Sequence, residues 1–266
     1  MAGEYSIGDS VGQLVSLLEL SLMKSLQSLA TVFSPFPREV AVGDSIRVMI
    51  ELGRKKPVAV AVAFDWPGWE RSGTSEEDAL RVLDTYRRRY AKVAELGGIA
   101  GQFSATGDPE VVERIEGIGM TDFYGLSMRA AGPEEDQMSD AACERKIALL
   151  RACWTYFDDV ASRVSAELRK GPRGGGRDRD RIVQHVNNVE IGDFARKVGV
   201  ITPPEAWQDP DALRAYRDAF CAAIREHNAR GASARNWTVQ FVIRHSAYHV
   251  LDHAWEMEDR DLSGGS

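Results

Sequence analysis

The sequence predicts an α+β module followed by an all-α four-helix bundle, and three observations carry the prediction. Between residues 46 and 64 apolar side chains recur at period two, the pleat of β-strands. From Ser139 onward the apolar period becomes helical, in four segments of about twenty residues each, the pattern of a bundle. The stretch between them, "MTDFYGLSMRAAGPEEDQMSD", is made of turn-forming and acidic residues and reads as a linker. At 266 residues, 44% of them hydrophobic, the chain is long enough for two such cores. The expected division is an N-terminal helical extension over 1–40, a small module over 41–125 and a bundle over 138–262.

Each element has its own signal. The run "VGQLVSLLELSLMKSLQSLATVF" reads as an amphipathic helix over 10–33 rather than a membrane span, because Glu19 and Lys24 interrupt it and no basic segment precedes it. A membrane-surface anchor would need a basic polar face, and only one Lys is present. The helix is expected to pack on its own fold or on a partner subunit, so a homodimer is open. Ile46, Val48 and Ile50 then alternate with Arg47, Met49 and Glu51 in a first strand. Gly53 to Lys56 make a turn, and "PVAVAVAF" is a second strand whose alanines suit close packing under a helix. Thr74 or Ser75, followed three residues on by Glu77 or Asp78, is a capping-box start for a helix running to Leu96 and ending at Gly97 and Gly98. "EVVERIEG" supplies a further strand. The bundle helices are expected at 139–168, 177–198, 209–228 and 238–260, separated by "RKGPRGGG", "GVITPPEAWQD" and "ARGASARN".

A formal net charge of −7 and a pI near 5.4 argue against nucleic acid as a partner, since phosphate binding runs on clustered Lys and Arg. Cys143, Cys153 and Cys221 are odd in number and widely spaced, which supports neither disulfides nor a CxxC zinc site and fits the cytoplasm. "KGPRGGGRDRD" lacks GxxxxGK[ST] and follows no strand, so it reads as a turn between helices rather than a nucleotide cradle. Arg173 and Arg177 in it are candidate contacts for an anionic substrate, and "RDRDR" is an ion-paired, solvated helix start.

The chemistry lies in the histidines. His245, His249 and His253 follow one another at intervals of four, and the outer two start about 12 Å apart along a helix axis, too far to share one ion. Val242, Ile243, Ala247, Val250, Leu251, Ala254 and Met257 define the apolar arc, with His249 and His253 at its edge. His245 lies further round, with Asp252 and Glu256 on a charged flank, and reads as a surface or outer-shell residue. A third ligand must come from another helix, and His185 borders the inward stripe of Ile182, Val186 and Val189. A pair of this spacing alone is more often hydrogen-bonded or at the solvent edge than a metal site, and "HVLDH" lacks the glutamate of metalloproteases; His185 is what brings the metal reading level with it. His227, near a helix C-terminus, is explained by the helix dipole.

"RIVQHVNNVE" and "AYHVLDHAWEMEDR" resemble the DinB/YfiT-like metalloprotein superfamily, over residues 139–262. The resemblance implies a four-helix bundle in which His185, His249 and His253 hold a divalent metal such as zinc, nickel or iron. The whole chain is also similar to an uncharacterised, mostly actinobacterial group joining a "DWPGW" module to such a bundle, and "AFDWPGWERSGTSEEDAL" resembles a HicB-like strand and helix unit. The superfamily implies metal-dependent transfer or isomerisation on a small-molecule substrate, with a low-molecular-weight thiol as candidate co-substrate. Three imidazoles leave coordination positions open, as a catalytic metal needs. No residue declares itself as acid or base; Asp252, Glu256, Tyr156, Trp66, Trp69 and Arg177 are candidates for the pocket or outer shell, with Trp154 core beside Tyr156. Hydrolysis with the same ligands is an alternative, although Glu190 would be poorly placed as its base on an ideal helix. A non-enzymatic metal-binding or regulatory protein, with Trp66 and Trp69 on an interaction surface, is another.

Overall fold

A computed structural model of the chain describes residues 45–171 and 175–263, all within one compact unit. The helix expected over 10–33, and Arg173, lie outside the described residues. Strands β1 (Ile46–Leu52), β2 (Ala59–Val62), β3 (Glu70–Gly73) and β4 (Pro109–Glu116) form one sheet in the order β3-β2-β1-β4. The expected hairpin is present, with Met49 opposite Val62 and Leu52 opposite Ala59. β3 was not foreseen: "ERSG" has no apolar alternation, and its place comes from pairing Glu70 with Val62 and Gly73 with Ala59. β4 lies parallel to β1, so the chain must cross over between them, and it does so through α1 (Glu76–Thr85), α2 (Arg87–Leu96) and the short α3 (Ala100–Ser104).

Ser75 caps α1 by accepting from the Asp78 amide. The single helix expected from there to Leu96 is two: the α-helical hydrogen bonding is interrupted at Tyr86, whose amide donates to the Leu83 carbonyl at 3.1 Å and whose ring packs 5.0 Å from Trp255 with the Arg71 guanidinium 3.9 Å from its centre. The "DWPGW" turn is clamped between sheet and helices. Trp69 stacks on Tyr90 at 5.3 Å and donates from Nε1 to the Leu83 carbonyl, and Tyr90 donates to the Pro67 carbonyl. The expected linker also holds structure, a helix α4 (Gly119–Tyr124) and a 3-10 turn at Gly132–Glu134.

The largely helical C-terminal region consists of α5 (Asp140–Arg163), α6 (Arg179–Val189), a π-helical turn (Glu190–Phe194) continued by α7 (Ala195–Lys197), α8 (Pro210–Ala229) and α9 (Val239–Asp259). The first helix stops five residues short of expectation, since Leu168 instead bridges to Asp261. Ion pairs and hydrogen bonds between the helices show their directions. Glu144 with Arg225 and Asp158 with Arg217 make α8 antiparallel to α5. Lys146 with Gln240 and Tyr156 with Glu258 make α9 parallel to it. The α6 helix runs against α9, which brings His185 to His249 and His253.

Sheet and bundle meet over a buried charge network. Arg244 of α9 donates to Glu70 of β3 and to Glu134, all three 1% exposed or less. Burial dominates and pushes the Glu70 carboxyl up to about 8, against the pull of Arg244.

Candidate metal centre

The α9 helix begins at Thr238, whose hydroxyl accepts from the Phe241 amide, and it packs on α5 with a buried seam that includes Val242, Val250, Leu251 and Ala254. Spaced one turn apart, His249 and His253 stand beside that seam facing α6. Ile182 and Val186, buried against the bundle, turn His185 toward the same point. The three rings form a nearly equilateral set, with centres 5.1, 5.0 and 4.9 Å apart and mutual tilts of 62°, 90° and 88°. One nitrogen from each lies within 4.8 Å of the other two, and all three residues are half-buried. Among the described residues this is the one such cluster.

The donor set fits a divalent metal. Two imidazole nitrogens bonded at about 2.05 Å to one tetrahedral ion stand about 3.3 Å apart. His249 Nε2 and His185 Nε2 are 3.3 Å apart, long for a hydrogen bond between rings. Among the described residues His249 Nδ1 is buried without a hydrogen-bond partner, and the ring's Nε2 faces another imidazole. Such a ring is poorly satisfied by protein alone and well satisfied by an ion at Nε2. His253 is oriented from behind, its Nδ1 2.8 Å from Glu256 Oε2, the carboxylate–histidine arrangement that fixes tautomer and ring angle in metal sites. Arg260 in turn holds Glu256 from the next helical turn.

Electrostatics favour the neutral form of His185 and His249. Burial first, then the His253 charge and Arg177, lower the pKa of His185. Burial, His253, His185, His245 and Arg177 together hold His249 well below the usual histidine range. Neutral imidazoles are the form that binds metal, so near neutral pH no proton competes at these two rings.

No family model, curated protein or solved structure matches this chain. The centre therefore rests on its own geometry.

The other nominated residues are placed in several environments. Glu256 is in contact with the triad. Arg177 shares with His185 a surface depression at the start of α6. Asp252 points the other way, to Arg71 at 2.7 Å. Tyr156 donates to Glu258 at 2.8 Å, beside Arg89 and Arg163. Trp66 and Trp69 are core, packed on Tyr90 and Phe103. Trp154 is core as well, donating to Glu190 at 2.6 Å. Glu190 is fully buried and its carboxyl is pushed up to about 7 by burial, so it faces the bundle core rather than a metal-bound water. His227 contacts the Ala223 carbonyl at 2.9 Å in the last turn of α8.

His245 corrects the sequence reading. It is 7% exposed and enclosed by Phe194, Trp237, Phe241 and Tyr248, with ring centres 5.4, 5.4, 5.3 and 6.2 Å away. The wheel placed it on a polar flank, but that flank is covered by the π-helical turn and the segment before α9. Phe194 also touches His249 at 5.6 Å, so the same turn walls the triad. Sequence gave no sign of this wall, because a π turn carries no apolar signature of its own. Arg181, one turn before His185, was legible at i−4 and was overlooked.

Proposed function

We propose that the chain is a divalent-metal-dependent enzyme of the DinB-like type, acting on a small molecule by transfer or isomerisation, with a low-molecular-weight thiol as co-substrate. The observation that carries this reading is the convergence of three imidazoles from two helices on one half-buried, solvent-reaching point. A structural zinc site closes its shell with four protein ligands, whereas three ligands leave room for a reactant. Further support comes from the chain's resemblance to the superfamily at "RIVQHVNNVE" and "AYHVLDHAWEMEDR", and from the order of strands, helix and strand over residues 46–116, which suits the HicB-like unit.

His185, His249 and His253 would hold the ion. When bound, it supplies a positive charge that lowers the pKa of a thiol or water and polarises an electrophile. Glu256 keeps the His253 proton on Nδ1 and so leaves Nε2 bare. Phe194 and the aromatic wall around His245 exclude water from one side, while the α6 side stays open for substrate. Hydrolysis would want a free carboxylate base, whereas Glu190 is turned into the core, Asp252 is paired with Arg71 and Glu256 is held between His253 and Arg260.

The test uses the zinc- or nickel-loaded protein with a low-molecular-weight thiol, and reads thiol consumption with a panel of small electrophiles and thiol-dependent conversion of one isomer to the other with isomerisable acids. Turnover in the parent, absent from a His249→Ala/His253→Ala variant that keeps its helical circular dichroism, is the expected result. Metal-loaded parent that turns over nothing with thiol, yet hydrolyses esters or amides, would overturn the transferase reading in favour of hydrolysis.

A further inference from the structure

The depression onto which His185 opens is lined by Arg177, Asp178, Arg181, Gln184 and Asn188. Its acidic groups are already occupied. Asp178 accepts from the Leu168 amide at 3.1 Å and from Lys170, and neighbouring Asp180 is paired with Arg179 at 2.8 Å. Its cations are not. Arg177 and Arg181 make no ion pair among the described residues, and the Arg181 guanidinium reaches only the Gln184 carbonyl oxygen at 3.2 Å. Arg177 is close enough for its charge to act on both His185 and His249. Arg181 stands one helical turn, about 6 Å, before His185 on the same face.

In a chain of net charge −7, the approach to the three histidines is thus bordered by two uncompensated guanidinium groups and two neutral amides. Amides and guanidiniums together present N–H donors, the last in a fork that matches a planar or tetrahedral oxyanion. We propose that this rim is the binding subsite for an oxyanion, the carboxylate or phosphate of a substrate whose other end reaches the metal. The inference rests on the metal reading above and adds the charge class of the substrate and the residues that select it. Arg177 and Arg181 are exposed, so their contribution is one of steering and selection and weakens with salt.

The test uses full-length protein loaded with cobalt(II), whose visible absorption reports ligands entering the metal's open positions. Valerate, adipate and 5-phosphonovalerate are titrated at low ionic strength; the last two are valerate with an added carboxylate or phosphonate at the far end. In the parent, at least one of the two-headed ligands binds about tenfold or more tightly than valerate, a difference of about 1.4 kcal/mol, and whichever is tighter names the oxyanion. In Arg177→Ala/Arg181→Ala, with unchanged cobalt content, that preference falls to within about twofold. Cobalt-loaded parent that binds all three ligands equally, or a preference that survives in the variant, overturns the subsite alone. Parent that takes up no cobalt removes the metal reading and the subsite with it.

Discussion

Glu256 and His245 show how one helix face serves two different ends. The Glu256 carboxylate lies 2.8 Å from His253 Nδ1 and makes the imidazole a better donor at its other nitrogen. Glu256→Gln is expected to leave the fold intact and to weaken zinc binding about tenfold to a hundredfold, read by competition with a chromophoric chelator. His245, two turns from His253, is held neutral by burial, its pKa pushed down to about 3 with Arg244 and Lys197 adding to the effect. An unfolded histidine titrates near 6.5. Between those values the unfolded chain binds a proton that the native chain does not, so this residue's contribution is complete above pH 6.5 and shrinks as pH falls toward 3. Replacing it by Phe, which suits the aromatic cage, removes that loss. The metal-free His245→Phe protein should lose about 3 kcal/mol less stability than the parent between pH 7 and pH 4, as measured by urea unfolding at the two pH values.

At the scale of elements, the bundle helices and their inward histidines were legible, because long apolar periods and Gly or Pro breaks at Gly171, Gly199, Pro203 and Gly231 leave little choice of boundary. The fold class is as expected, a four-strand sheet with helices and then a largely helical region. Elements set by contact rather than pattern were not legible. β3 is four residues with two charges, and the break at Tyr86 has neither Gly nor Pro. The same limit hid the π turn, and with it the burial of His245. One such contact-made element has a sharp test. Gly68, with φ at +91°, seats the turn before β3 against α9, where a Cβ would lie 2.7 Å from Leu251 Cδ1 and 3.1 Å from the Ala247 backbone. Gly68→Ala therefore adds both an unfavourable backbone conformation and a clash. It should lower stability by about 2 kcal/mol or more, seen as a lower urea midpoint at unchanged m-value.

Across the whole molecule, the sheet and the bundle are joined by more than apolar packing. Arg244 reaches from α9 to Glu70 on β3 and to Glu134, and Nη2 donates to the Arg129 carbonyl at 2.8 Å. Arg244→Met leaves two buried carboxylates without their cation and is expected to cost about 3–5 kcal/mol. Adding Glu70→Gln and Glu134→Gln should restore part of that loss, by chemical denaturation of the three proteins side by side. The junction lies about two and a half turns from His253, and the helix carrying two of the three imidazoles is tied at one end to the sheet and at the other by Arg260, whose guanidinium donates to the Arg169 and Arg177 carbonyls. The triad is expected to hold one divalent ion. Elemental analysis of the purified full-length protein beside its His249→Ala/His253→Ala variant tests it most directly. About one metal per chain in the parent, lost in a variant that still shows the parent's helical content, is the predicted result. A parent that is free of metal, and stays so after incubation with zinc, nickel and iron, would contradict it.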